Sequence, residues 1–292
     1  MTQQKTTTPD KKSQTDNIKY HSNPFSLSFD KFGQLFENNI GWAIALIILP
    51  ILGFFFQMML SFVDALVSPE ASAHAGHAHS GSHHLATVDP AAAGVAFLVV
   101  FALILFISCI IAVSIAIQVF IGGLFTYAVI ENEAGRKAKF SSAIDAVVSR
   151  YQRLFFAQLL ATVKIFAWTL LFIIPGIIAA FRYMLLPFVI MDEPASEKGV
   201  KKSHDRVKAL VAGRKMEVFG VYTIATIIPL IGGITQLVGN AALYRQLQIF
   251  HDKKLEKPSV HWLNYFGLVL FGILMLLIFA ITALAIVVAI NS

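Results

Sequence analysis

The sequence predicts an all-α fold, a polytopic transmembrane helical bundle of six or seven spans with amphipathic helices at its cytoplasmic face. Three observations carry this. Of 292 residues, 57% are hydrophobic and only 14% charged, with 25 phenylalanines, whereas a soluble domain carries about 25% charged residues. The apolar residues fall in runs near 40–63, 91–130, 154–191, 216–250 and 262–290, the long runs that a bilayer core of roughly 20 residues demands. All but three of the 23 Lys and Arg residues lie in the N-terminal stretch, 131–153, 192–215 and 251–261, between those runs.

Residues 1–24 lack the apolar core of a signal peptide and are too polar to bury anything. They read as a disordered, uncleaved cytoplasmic tail ahead of a single transmembrane domain over 25–292. In "SFDKFGQLFENN" (28–39), Phe29, Phe32, Leu35 and Phe36 share one helical face. A first span near 40–63 leads to the loop 64–90. The 91–130 run opens on Asp89-Pro90 and ends near Gly135. It predicts one long helix that crosses near 91–118 and then protrudes, or bends near Gly122-Gly123.

The 154–191 run is nearly twice a membrane thickness as one helix, about 57 Å. Pro175-Gly176, inside "FIIPGII", is where it would reverse. The 216–250 run divides in the same way at Pro229, inside "IIPLIGG". The spans then number seven, near 40–63, 91–118, 154–174, 176–191, 216–231, 234–250 and 262–290, or six if 216–250 crosses once. The loop 64–90 and the other intervening segments on its side contain no Lys or Arg, so the N-terminus is expected in the cytoplasm and the C-terminus outside. Trp42, Trp262 and Tyr265 fall where an aromatic belt belongs.

The extracytoplasmic loop contains "HAGHAHSGSHH", with His74, His77, His79, His83 and His84. Neutral imidazoles there could capture zinc, nickel or copper weakly and would charge below about pH 6.5. A structural metal site needs fixed ligands and a second shell, and the Gly/Ser-rich spacing supplies neither. The loop therefore reads as a flexible polar linker. The single cysteine, Cys109, lies in an apolar run, which excludes an intrachain disulfide and a four-cysteine metal site.

Two more cytoplasmic segments read as amphipathic helices. "SSAIDAVVSRYQRLFF" (141–156) places Ser142 and Asp145 as a capping box. In the basic helix 196–213, Val200, Val207, Leu210 and Val211 form a stripe, with Lys198, Lys201, Lys202, Arg206 and Lys208 largely off it. Such a helix suits anionic lipid, where each basic residue near the surface contributes about 1 kcal/mol. No separate basic domain offers itself to nucleic acid.

Catalytic signatures are missing: no Walker A, no Rossmann glycine fingerprint and no HExxH. Ser203, His204 and Asp205 spell a triad in letters only, since successive helical residues point about 100° apart. No cofactor is expected. Two cations stand inside predicted spans, Lys164 and Arg182, each about 15 Å from the cytoplasmic edge on adjacent hairpin arms. A cation at such depth needs an anion, a wet cavity or room to snorkel. Arg245 lies close enough to Lys253 to snorkel.

The stretches "IIPGI" (173–177), "LPFVIMDE" (186–193), "KKS" (201–203) followed by Gly213, and Leu243-Tyr244-Arg245 together resemble bacterial inner-membrane proteins. These are relatives of the membrane region of membrane-anchored glycerophosphodiester phosphodiesterases. The resemblance covers about 130 residues. It implies a bacterial inner-membrane location and a role in membrane organisation. In the anchored enzymes the chemistry belongs to a separate soluble barrel, which this chain lacks. The leading expectation is a non-enzymatic accessory or scaffold protein that contacts anionic lipid. The alternative is a transporter or channel for an anionic or lipid substrate using Lys164 and Arg182; an intramembrane enzyme comes third.

Overall fold

The computed structural model describes residues 20–67, 90–228, 231–256 and 258–291. The histidine loop, the first 19 residues and Pro229 lie outside the described residues. Among those described, the chain is helical throughout, with no strand. In chain order the helices are α1 (Pro24–Phe29), α2 (Phe32–Asn38), α3 (Ile40–Val67), α4 (Pro90–Glu133), α5 (Phe140–Leu171) and α6 (Ile173–Tyr183). There follow α7 (Leu186–Asp192), α8 (Val200–Val211), α9 (Lys215–Ile227), α10 (Gly232–Asp252), a 3₁₀ turn (Trp262–Tyr265) and α11 (Phe266–Asn291).

Four segments are long and apolar enough to cross a membrane: Ser108–Glu133, Phe140–Leu171, Ile173–Asp192 and Trp262–Ala285. Their outer faces are bare hydrocarbon, as at Phe279, Ile174 and Leu276, each more than 70% exposed. A surface of that kind is stable only in lipid. The chain is a helical membrane protein. The count of six or seven spans is not reached among the described residues, although the 28-residue α3 adds a further apolar helix.

The turn between the first two arms differs from its sequence expectation. The chain reverses at Phe172, which is extended at φ −157° and ψ 132°, not at Pro175-Gly176. Pro175 stands in the first turn of α6, where its missing N–H forfeits no helical bond. Gly176 is needed for close packing instead. A Cβ there would stand 2.8 Å from the Thr169 Cα, so the glycine lets α6 lie directly on α5. α4 likewise runs unbroken through Gly122-Gly123. It ends at Gly135, whose φ of +69° is open to glycine at low cost. α5 starts after Lys139 with no side-chain cap, so the Ser142–Asp145 capping box does not form.

The 216–250 hairpin also differs. α9, at 13 residues, is about 20 Å long, short of a bilayer core of about 30 Å. Neither α9 nor α10 is among the four membrane-crossing segments. Val218, Val221, Ile234, Val238, Leu243 and Leu247 are all buried, and the pair forms the centre of the fold. α1 packs across both helices, with Ser28 fitted against Gly239.

That docking draws in residues assigned to the tail. Tyr20 is buried and its hydroxyl donates to Glu217. His21 N–H donates to Gln246, and Ser22 O accepts from Asn264. Asn23 caps α1 by accepting from Phe25 N–H. Tyr20, His21, Ser22 and Asn23 therefore pack as part of the fold.

The 28–39 helix is two helices, broken at Asp30-Lys31. Leu35 is fully buried, with Phe29, Phe32 and Phe36 half-buried, so this face meets protein. Trp42 is also internal, donating from Nε1 to Ala138 O, whereas Trp262 and Tyr265 are exposed as an interfacial belt requires.

Candidate functional site

The described parts of the four Lys/Arg-rich segments are tied together by polar contacts, Ser22 with His261, Asn39 with Arg136, and Arg150 and Arg153 with the carbonyls of Glu193 and Glu197. Asn39 donates to Asn132 Oδ1 and accepts from Ala138 N–H, joining α3 to the end of α4. The "LPFVIMDE" stretch forms α7 and ends on two carboxylates with separate partners. Glu193, 4% exposed, lies 3.3 Å from Arg153 Nη2 and 3.4 Å from Arg206 Nη1. It also accepts from Ser203 Oγ at 3.3 Å. Arg153 donates to Ile190 O and Glu197 O as well. Asp192 accepts from Tyr244 Oη at 2.9 Å and Gln248 Nε2 at 2.7 Å. The structure thus brings three separated motifs together, with Glu193 meeting "KKS" and Asp192 meeting the Tyr244 of "LYR".

Ser203, His204 and Asp205 diverge as expected, toward Glu193, toward α5, and out to Lys208. His204 is 1% exposed. Its Nε2 lies 3.0 Å from Ala157 O and its Nδ1 lies 3.4 Å from Lys164 Nζ. A carbonyl can only accept, so Nε2 carries the proton and Nδ1 presents a lone pair to the Lys164 ammonium. Lys164 Nζ also stands 5.7 Å from the Tyr183 ring centroid. Lys164 therefore reaches back to α8. Arg182 is half-buried in the last turn of α6, with no hydrogen bond or ion pair among the described residues. The two cations share no hydrogen-bond partner among the described residues.

Burial holds the His204 pKa below its ordinary value, helped by the positive charges of Lys164 and Lys208 and opposed by the Ala157 bond and Asp205. The folded state then binds its proton less readily than the unfolded chain, whose imidazole titrates near 6.5. This stabilisation is complete above about pH 6.5 and declines as the pH falls below it. Thermal unfolding in detergent should show acid sensitivity that His204→Gln reduces. An identical pH profile in that variant would count against the assignment.

α8 buries its stripe in protein: Val207, Leu210 and Val211 are at most 1% exposed. α5, α6, α7 and α10 cover this face. Of its basic residues, Lys202 pairs with Glu197, Arg206 with Glu193 and Lys208 with Asp205. Lys198 and Lys201 are exposed, with no ion pair among the described residues. The five loop histidines lie outside the described residues. Within those residues no cluster of three or more His, Cys, Asp or Glu side chains could hold a metal.

Two features were not legible in the sequence. The first is Glu217, fully buried, which accepts from Arg214 Nη1 at 2.9 Å and from Tyr20. Burial, then the Glu217 charge, pushes the Tyr20 hydroxyl well above the usual phenol range, which keeps it a donor. The Arg214–Glu217 spacing was a usable signal; Tyr20, almost 200 residues away, was not. The second is a cavity of about 590 Å³ between α4, α5, α7 and α10. Its polar wall is Gln118, Thr126, Gln158, Thr162, Gln236 and Asn240, with no charged residue in the lining. Lys164 and Arg182 do not line it.

Comparisons with protein-family models, with curated proteins and with solved structures found no match to this chain.

Proposed function

We propose that this chain is a non-enzymatic bacterial inner-membrane protein, an accessory or scaffold that engages anionic lipid through the exposed lysines of its basic segments. One observation carries the reading. The buried acidic and basic groups pair off, Arg153 with Glu193 and Arg214 with Glu217, while Lys198 and Lys201, like Lys137 and Lys139, are exposed. The absence of Lys and Arg from 64–90 beside their concentration in 131–153, 192–215 and 251–261 supports a cytoplasmic N-terminus. The motif resemblance points to membrane organisation in the same direction. Transport of an anion through Lys164 and Arg182 is the weaker reading, since His204 occupies Lys164 and neither cation lines the large cavity.

Orientation is tested in a Cys109→Ala background. A cysteine replacing Ser80 should react with an impermeant thiol reagent in intact cells, and one replacing the exposed Lys201 should not. The reverse labelling sinks the topology. Lipid contact is tested with the full chain in nanodiscs that mix phosphatidylglycerol and phosphatidylcholine. Two surface lysines contribute about 2 kcal/mol together, so Lys198→Gln/Lys201→Gln should reduce the preference for phosphatidylglycerol by tenfold or more. Added salt should do the same. Unchanged lipid selectivity in the double variant removes the proposal.

A further inference from the structure

The cavity between α4, α5, α7 and α10 presents a physical problem. Asn240 is 3% exposed and its Oδ1 has no hydrogen-bond partner. Gln236 reaches only the Met184 sulfur at 3.5 Å. Gln118, Gln158 and Thr162 make no hydrogen bond among the described residues. Gln118 sits about 20 Å along α4 from Glu131, within a segment that crosses the membrane. An unsatisfied amide at hydrocarbon depth costs several kcal/mol, and four amides and two hydroxyls line this one space, of which Thr126 already donates to Gly122 O. Of these side chains Asn240 is buried, Gln158 and Gln236 are half-buried, and Gln118 and Thr162 are exposed; in hydrocarbon, which offers no hydrogen bonds, each needs a partner from outside the chain.

We infer that this cavity binds one uncharged lipid whose head carries hydroxyl and ester oxygens, a lipid of the diacylglycerol class. The lining selects that chemistry. Side-chain amides donate to ester carbonyls and both donate to and accept from a hydroxyl. No Lys, Arg or His lines the space, so a phosphodiester would be buried there without a counter-charge. No Asp or Glu lines it either, which disfavours an amine. The remaining wall is apolar, with Val119, Leu154, Phe188 and Leu237 among it, and suits the first carbons of acyl chains. At about 590 Å³ the space lies within the usual range of roughly 300–1,000 Å³ for ligand sites. It takes a glycerol head with the upper chain segments and not two whole acyl tails. The tails leave past Ile115 and Leu159, which line the cavity and are 40% and 42% exposed on membrane-crossing segments.

This site is separate from the exposed lysines and does not depend on the function proposed for them. Two glycines allow a clean test. A Cβ at Gly122 or at Gly233 meets nothing within 4 Å, and both residues line the cavity, so a leucine at either starts from open space beside it. Leucine also favours a helix over glycine. The full chain is reconstituted in phosphatidylcholine nanodiscs containing dioleoylglycerol, and retained lipid is counted by native mass spectrometry. Wild type should hold one dioleoylglycerol per chain. Gly122→Leu, Gly233→Leu and Asn240→Leu should each lower that occupancy tenfold or more while the melting temperature holds. Lys198→Gln/Lys201→Gln should leave it unchanged. The inference is overturned if wild type retains no dioleoylglycerol, or if the two leucine-for-glycine variants retain as much as wild type. It is equally overturned if dioleoylphosphatidylglycerol binds with the same dependence on Gly122, Gly233 and Asn240.

Discussion

Glu193→Ala is expected to destabilise the folded protein by about 3–5 kcal/mol, the range for removing one partner of a buried ion pair. Glu193 is 4% exposed and meets Arg153, Arg206 and Ser203, while the Arg153 side chain is also only 4% exposed. Deleting the carboxylate leaves a guanidinium buried with carbonyl partners alone. Arg206→Ala removes the outer contact, from a side chain 32% exposed, and should cost less than about 1 kcal/mol. The double variant Arg153→Met/Glu193→Leu should recover much of the loss, because no lone charge is then buried. The single variants Arg153→Met and Glu193→Leu complete the cycle; reversible unfolding in mixed detergent measures all six proteins, and the cycle isolates the coupling. Equal losses from Arg206→Ala and Glu193→Ala, or strict additivity in the double variant, would contradict this account.

Such a pair shows how far the sequence was readable. Charge scarcity and run length establish a helical membrane protein without any tertiary information, and Gly135 marks the end of α4 where its backbone conformation requires it. Apolarity does not reveal what an apolar residue will face. Val221, Ile234 and Val238 fall within predicted spans, yet they are buried against protein, since hydrocarbon and a protein core accept the same side chains. The α8 stripe raised the same ambiguity between lipid and protein, and protein covers it.

Polar residues carry a different limit. Lys164 stands out by its depth in an apolar run, but its partner His204 lies 40 residues on, a distance that no helical periodicity connects. Tyr20 looked like tail because its neighbours are polar, and only the buried Glu217 explains why it packs. Gln118, Gln158, Gln236 and Asn240 are isolated residues in apolar or small-residue contexts. Each alone reads as a tolerated polar substitution, and only their common cavity gives them a joint meaning.

The α5–α6 reversal gives the second large effect. Gly176→Leu is expected to lose about 1–3 kcal/mol or more through overpacking, because a Cβ at that position would stand 2.1 Å from Thr169 Oγ1 and 2.8 Å from its Cα. The side-chain part of this conflict can be relieved and the backbone part cannot, so Thr169→Gly should restore stability only partly. Pro175→Ala is the informative control. Were Pro175 the reversal point, its removal would disturb the hairpin. In the first turn of α6, with Phe172 already extended, the ring only pre-sets a helical φ, and the change should stay within about 0.5 kcal/mol. Thermal unfolding of the three variants in one detergent ranks them. A Pro175→Ala loss equal to that of Gly176→Leu would return the turn to the Pro175-Gly176 pair. A small Pro175→Ala loss beside a large Gly176→Leu loss makes close contact between α5 and α6, and not proline geometry, the reason glycine stands at 176.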